Sequence, residues 1–330
     1  MLMNNRLLKI ILPLLALIAV IAPFYIGEYY IDLLLTFLIN LIVVTSFRLI
    51  YTSGGFNLAH IPLMGLGAYT SAILTKIVGW PFWLALPLAG FASALIGLMF
   101  SYPLSRTKGF AFFIASFALG EAMRLTWTKF RFPFGGHDGI HLLPTPESFL
   151  GLDFSKTIPY YFLVLVVVAL CLLILYRVEH SRIGDTFKAI RSMEILSKSV
   201  GINTTGYKML AFVVGSFFAG IAGVLPTHHF RSVHPPSFSF VVTLYLIVWV
   251  IFGGLETFAG PMLGLAVLVV IQELLRPLYE WLPLFYGAIL ILTFLFLPKG
   301  LESVPERVSL LIKKARGIIH KQNRLKNSRL

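Results

Sequence analysis

Residues 158–177 read IPYYFLVLVVVALCLLILYR, and no charge interrupts the run before Arg177. As a helix, twenty residues rise about 30 Å, and a bilayer's hydrocarbon core takes ~20 apolar residues to cross. The stretch lacks the polar stripe of a surface helix, so it is read as a membrane span. Working outward, apolar windows separated by polar or Pro/Gly-marked breaks predict ten spans. These lie near 7–27, 31–51, 59–79, 82–102, 109–129, 158–177, 208–229, 238–254, 258–280 and 283–298. The Gly-rich 59–79 and the short 238–254 are open to a second reading, as broken or re-entrant helices. Such backbone is tolerated only where protein or water satisfies it.

Composition agrees. The 330 residues are 58% hydrophobic and 12% charged, with mean hydropathy +0.86; a soluble domain carries about 25% charged residues. A water-soluble core cannot hide this much apolar surface. The predicted fold class is therefore all-α, a polytopic transmembrane bundle of about eight to ten spans. The N-terminal MLMNNRLLKIILPLLALIAVIAP has the basic start and apolar run of a secretory signal. Its apolar stretch is long enough to cross, however, and it is read as the first span. The single Cys171 lies inside an apolar run, which leaves no disulfide framework and no thiolate metal cluster.

The net charge of +13 does not imply nucleic acid, because Lys and Arg concentrate in cytoplasmic loops of membrane proteins. With ten spans and the N-terminus inside, twenty basic residues fall inside and five outside. Both termini are thus expected in the cytoplasm. The expected organisation is a membrane domain over 1–300 and a basic cytoplasmic tail over 301–330. Two longer segments stand out: the outer 130–157 and the inner 177–207.

The inner segment, RVEHSRIGDTFKAIRSMEILSKSVGINTTGY, predicts a short amphipathic helix. Asp185 suits its N-cap and Gly201 its left-handed stop. Ala189, Met193, Leu196 and Val200 recur at helical spacing beside Ile190, opposite Lys188, Arg191 and Lys198. From the residues alone this helix is either displayed in the cytoplasm or laid on the lipid surface against anionic headgroups.

The stretch SRIGDTFKAIRSMEILSKSVGINTTGYKMLAFVVGSFFAGIAGVL resembles the coupling region of LivM-type permeases, the membrane subunits of ABC importers for hydrophobic amino acids. The resemblance rests on Arg182, Gly184, Ala189, Ile190, Arg191, Glu194, Gly201, Ile202, Tyr207 and Lys208. Along the chain, GGFNLAHIPLMGLGAYTSAIL, RTKGFAFFIASFALGEAMRL, FGGHDGIHLLP, PPSFSF, FGGLETFAGPMLG and FLPKGL resemble further family signatures in the same order. Asn57 stands where Ser is usual, Ala59 where Gly is usual, Glu256 interrupts a Gly-rich turn, and the histidines are extra. The resemblance implies a permease of the bacterial inner membrane with no ATPase and no cofactor of its own. Its implied partners are a homologous permease, two ATP-binding subunits that receive the 177–207 loop, a periplasmic solute-binding protein that meets 130–157, and membrane lipid. Consistently, no G-x-x-x-x-G-K-[ST] phosphate loop occurs. The implied cargo is a branched-chain or other hydrophobic amino acid, with urea or short amides as the alternative.

Several polar residues in apolar surroundings are weighed individually. Gly54, Gly55, Gly65 and Gly67 allow close helix approach or an opening toward a path. Asn57 and His60 either touch a passing solute or cap and anchor their helix; with Gly65, Gly67 and Tyr69 they form a candidate translocation path. Glu121 with Arg124, and Glu273 with Arg276, are spaced to pair on one helical face. In an ion-coupled carrier such carboxylates would be coupling sites, but a basic partner three residues away favours structural pairs. His228, His229 and His234 lack a nearby carboxylate or thiol to complete a metal shell, and no metal site is predicted. An intramembrane hydrolase is disfavoured because His60 has no acidic neighbour and HHFRSVH lacks HExxH spacing.

Overall fold

A computed structural model describes residues 19–107, 109–149, 151–297 and 300–304. Eight of its helices are long and apolar enough to cross a membrane. The described helices are α1 (Glu28–Thr52), α2 (His60–Ile73), α3 (Phe82–Arg106), α4 (Phe110–Lys129), α5 (Thr157–Glu179), the loop helices α6 (Arg182–Ser192) and α7 (Glu194–Ser199), α8 (Thr204–His229), α9 (Phe240–Gly253), α10 (Gly260–Leu274) and α11 (Leu282–Phe296). The predicted first span, 7–27, lies outside the described residues up to position 18. Two compact units divide at Leu244 and Tyr245, inside α9.

In the first unit, α8 packs against α1, α2 and α3. Its small residues set the approach. A Cβ on Gly67 of α2 would fall onto the backbone of Gly220 in α8, and one on Gly223 would strike the Met64 carbonyl. Lipid supplies no hydrophobic drive between helices, so close backbone contact through small residues takes over. Ser93 of α3 donates to the Leu63 carbonyl of α2 at 3.1 Å. Ile50, Leu63, Leu104, Phe212 and Ala219 close around this contact. On the outward faces, Phe91, Leu95 and Met99 of α3, Ile114 of α4 and Val166 and Leu170 of α5 are exposed. So many bare apolar side chains on successive turns fit a hydrocarbon surround.

α1 and α5 are tied at one end by charge. Arg48 and Glu179 form an ion pair, with only 1% and 5% of the two side chains exposed. At the other end, the 130–157 segment is stitched to the turn after α8. Ile140–His141 pairs antiparallel with Ser232–Val233.

The two doubtful spans are continuous. α2 runs on through a π-helical turn, Leu74–Val78, and stops at Gly79 in the left-handed region (φ 78°). α9 follows a 3₁₀ turn at Pro235–Phe238 without a break. The predicted 258–280 span differs more. α10 has 15 residues, which rise about 22 Å, short of a crossing, and a kinked 3₁₀ segment at Arg276–Trp281 follows. Periodicity cannot show this, because the apolar composition continues through the kink. Also within the second unit, the Glu302 carboxylate accepts from the backbone N–H groups of Glu256 and Thr257 at 2.8 and 2.9 Å. Residues 301–303 thus close against the 255–260 turn; 305–330 lie outside the described residues.

Two outcomes test this packing. Gly67→Leu should prevent a stable fold, or lower stability by at least ~1–3 kcal/mol through overpacking. Gly27→Ala, whose Cβ meets nothing within 4 Å, should stay within ~0.5 kcal/mol; thermal unfolding in detergent reads both. Arg48→Leu or Glu179→Leu alone should each cost ~3–5 kcal/mol, and the Arg48→Met/Glu179→Leu double variant should recover most of that loss.

Candidate functional site

The 177–207 loop folds as two helices. Ser181 is the N-cap of α6, its Oγ accepting from the Ile183 N–H at 3.2 Å. Asp185, expected in that role, sits a turn inside and pairs with Lys188 at 3.6 Å on an exposed surface. The helix is one turn longer at its start because Ser181, not Asp185, has the extended backbone of a cap (φ −94°, ψ 172°). At Met193 the backbone turns extended (φ −150°, ψ 85°) and α7 begins a new register. Gly201 then reverses the chain at φ 86°, and the Asn203 side chain caps α8 by accepting from the Gly206 N–H at 3.0 Å.

That break overturns the predicted apolar face. Gly184, Phe187 and Ile190 are buried, and Gly184 lies so close to the Glu179 carbonyl that a Cβ would collide with it. Met193, Leu196 and Val200, with Ile195, point outward instead; Ile195 is 83% exposed. A single helical period cannot be carried across a break. The result is an apolar patch on the outer surface of α7, from which the buried Ile190 is turned away.

Three anchors hold the loop. Arg191 donates to the Tyr51 hydroxyl at 3.0 Å and lies 4.2 Å over that ring. Glu194 pairs with Lys208 of α8 at 2.8 Å and with Lys198 at 3.0 Å. Partial burial acts to raise the Glu194 pKa, but hydrogen bonds and charge from the two lysines prevail and hold its carboxyl down to about 2. A depressed carboxyl contributes stability above its unfolded value of about 4.3 and loses it only as pH falls through about 2. The anchor is therefore intact across physiological pH. The third anchor is the Arg48–Glu179 pair at the end of α5, with Lys188 Nζ 3.4 Å from the Glu179 carbonyl. Sequence reading missed this pair, since 131 residues separate its members; the only signal was a lone Arg inside an otherwise apolar window. Of the other family-matched positions, Tyr207 meets the Phe187 ring edge-on at 6.2 Å and Ile202 donates its N–H to Ser197. Arg182 and Ala189 are exposed. Arg191, Glu194 and Lys208 share a cavity of about 180 Å³ with Ser53, Gly54 and Thr107.

The candidate path residues Asn57, His60, Gly65, Gly67 and Tyr69 are all buried. Asn57 accepts from the Ala59 N–H at 2.9 Å, as a turn-former before α2. His60 Nε2 lies 3.0 Å from the Ser46 hydroxyl of α1. Tyr69 stacks on Trp127 at 4.8 Å, and a Cβ on Gly65 would press that same indole. Asn57 Nδ2, His60 Nδ1 and the Tyr69 hydroxyl are buried with no hydrogen-bond partner. Glu121 lies 2.7 Å from Arg124, and Glu273 3.8 Å from Arg276. The three histidines diverge: His228 Nδ1 lies 3.0 Å from the Pro144 carbonyl, His229 Nε2 2.8 Å from the Asp32 carboxylate, and His234 Nδ1 2.9 Å from the Asp138 carbonyl.

Residues 29–297 match the family described as branched-chain amino acid transport system / permease component. The high-affinity branched-chain amino acid transport system permease protein LivM of Salmonella typhimurium is 30% identical, over 89% of this chain and 74% of that protein. LivM of Escherichia coli is 29% identical over the same shares. LivH of Escherichia coli is 30% identical over 39% of this chain and 42% of that protein. No solved structure matches. With eight helices among the described residues fit to cross a membrane and a family match over most of its length, the chain belongs to the branched-chain amino acid transport system permease components.

Proposed function

We propose that this chain is the inner-membrane permease subunit of an ATP-driven importer for branched-chain or other hydrophobic amino acids. It works beside a homologous permease, takes its driving force from two ATP-binding subunits, and receives solute from a periplasmic binding protein. The 177–207 loop lies in the cytoplasm. The observation that carries this reading is the exposed patch on α7. Ile195, Leu196, Met193 and Val200 are bare to solvent beside a basic, well-anchored helix. Four large apolar side chains on and beside one short helix are covered either by a partner or by the lipid surface, and the loop's family resemblance favours the partner.

The mechanics follow from the anchors. Arg191 ties the loop to Tyr51 of α1, Glu194 ties it to Lys208 of α8, and Glu179 ties the end of α5 to Arg48 of α1. A push on α7 therefore reaches α1, α5 and α8 as a unit rather than bending a slack loop. α8 also carries the Gly220 and Gly223 contacts with α2, the helix that bears the unpartnered Tyr69 hydroxyl. Glu121–Arg124 and Glu273–Arg276 serve as structural pairs, their carboxylates offset by adjacent guanidinium groups.

The Ile195→Asp/Leu196→Asp double variant should lose recruitment of the ATP-binding subunits and lower ATP-driven leucine uptake at least about tenfold, while the exposed sites change fold stability by no more than ~0.5 kcal/mol each. Co-purification, vesicle uptake and thermal unfolding together make the measurement; normal uptake in that variant would falsify the coupling role. ATP-depleted vesicles under an imposed proton or sodium gradient should show no uptake, and gradient-driven uptake would instead establish an ion-coupled carrier.

A further inference from the structure

Along the chain His234 belongs with His228 and His229, but the fold separates those three and brings His234 to a different histidine. Its ring lies 4.7 Å, centroid to centroid, from that of His141, with the planes inclined at 65°. α5, the loop helices and α8 all lie between the two residues in sequence.

The backbone beneath the two rings is fixed. They stand on the β-pair that stitches the 130–157 segment to the turn after α8, with His141 opposite Ser232. Gly139, at φ 76°, permits the approach, because a Cβ there would strike the Val233 carbonyl. Leu142 and Arg231 close one end of the pair in the left-handed region, at φ 54° and 52°. Non-glycine residues stay there only where their surroundings hold them. Two bonds do so: the Leu143 N–H donates to the Arg231 carbonyl at 3.1 Å, and Arg231 Nε donates to the Leu143 carbonyl at 2.8 Å.

Hydrogen bonding sets the chemistry of the His234 ring. Its Nδ1 lies 2.9 Å from the Asp138 carbonyl oxygen. A carbonyl oxygen only accepts, so Nδ1 carries the hydrogen and Nε2 keeps its lone pair. Metal-binding histidines are oriented in this way, by giving their other N–H to a carbonyl or carboxylate. The His141 side chain is exposed, and its backbone carbonyl accepts from the Lys76 ammonium. Lys76 opposes a cation at this place. The charge of Asp138, next to the carbonyl that orients His234, counters it.

Spacing narrows the ligand. With metal–nitrogen bonds of ~2.0–2.1 Å, two imidazoles bound at a right angle put their ring centres about 4.5 Å apart, and at the tetrahedral angle about 5.2 Å apart. The observed 4.7 Å falls nearer the first. Nitrogen ligands at right angles suit a tetragonal ion, Cu²⁺ or Ni²⁺, and Cu²⁺ is the tightest binder in the first-row divalent series. Ca²⁺ and Mg²⁺ call for oxygen ligands instead. Among the described residues no group of three or more His, Cys, Asp or Glu forms a metal shell. The chain therefore supplies two ligands, and water takes the other positions.

We propose that His141 and His234 form a chelating pair for a tetragonal divalent cation, Cu²⁺ above all, which cross-links the 130–157 segment to the turn after α8. Cys171 is the single cysteine, so no disulfide within the chain can make that link, whereas two imidazoles on one metal make it without a thiol. The inference goes beyond the transport reading and does not depend on the solute carried.

Titration of the untagged full-length chain in nanodiscs with CuCl2 tests the pair, read by calorimetry and by the nitrogen hyperfine pattern in electron paramagnetic resonance. One equivalent should bind through two nitrogens, Zn²⁺ should bind at least about tenfold more weakly, and Mg²⁺ should not compete. His141→Ala and His234→Ala should each weaken Cu²⁺ at least about tenfold and leave a one-nitrogen signal. His180→Ala, at the far end of α5, should leave affinity and signal unchanged. Cu²⁺ should raise the thermal midpoint of the parent chain but not that of either variant; His141 and His234 are both at least partly exposed, so the variants should keep the fold. Failure to bind one equivalent, or tight binding that survives the loss of His141 or His234, overturns the pair. Tighter binding of Zn²⁺ than of Cu²⁺ overturns the tetragonal assignment.

Discussion

Two helix backbones meet where Gly67 faces Gly220, and the rest of the first unit is arranged around that approach. In lipid, apolar side chains gain nothing by leaving one hydrocarbon environment for another, so helices are held by shape, van der Waals contact and a few hydrogen bonds. α8 uses Gly215, Gly220 and Gly223 on faces turned toward α1, α3 and α2. It thereby becomes the helix through which the others are positioned.

A helix placed this way is also a suitable transmitter. α8 begins directly after the loop helices, capped by Asn203, and carries Lys208, the partner of Glu194. Its far end carries His228 and His229. Its 26 residues therefore join the loop that meets a partner to the opposite end of the bundle by a single rigid element about 39 Å long. The buried Arg48–Glu179 pair adds α1 and α5 to the same body. A buried ion pair is weak evidence for stability in itself, because desolvation opposes its attraction. Its value here is geometric: Arg48 can be accommodated only where Glu179 is, and that sets how α5 delivers the chain to Ser181.

Much of the architecture was legible from periodicity alone. Spans at 31–51, 82–102, 109–129, 158–177 and 208–229 correspond to α1, α3, α4, α5 and α8 within a few residues. Their lengths are imposed by the bilayer and their composition by its hydrocarbon. Legibility failed where a local backbone feature interrupts a uniform composition. The kink at Arg276–Trp281 leaves the apolar pattern undisturbed, so 258–280 looked like one span. The break at Met193 does the same for the loop helix: Met193, Leu196 and Val200 share a helical period on paper, but the period restarts at Glu194. Asp185 has a capping side chain, but the N-cap is Ser181, because it is Ser181 whose backbone is extended.

What the amino-acid sequence determined by itself is the solvent and the rough limits of most of the spans. These follow from a one-dimensional quantity, apolar length. Only the tertiary structure decided which residues meet. Arg48 and Glu179, and His229 and Asp32, are separated by 131 and 197 residues along the chain. Their pairing depends on the angle and depth at which helices pack. That geometry is set by where glycine allows backbones to touch, a property of two surfaces together and not of either stretch of sequence alone.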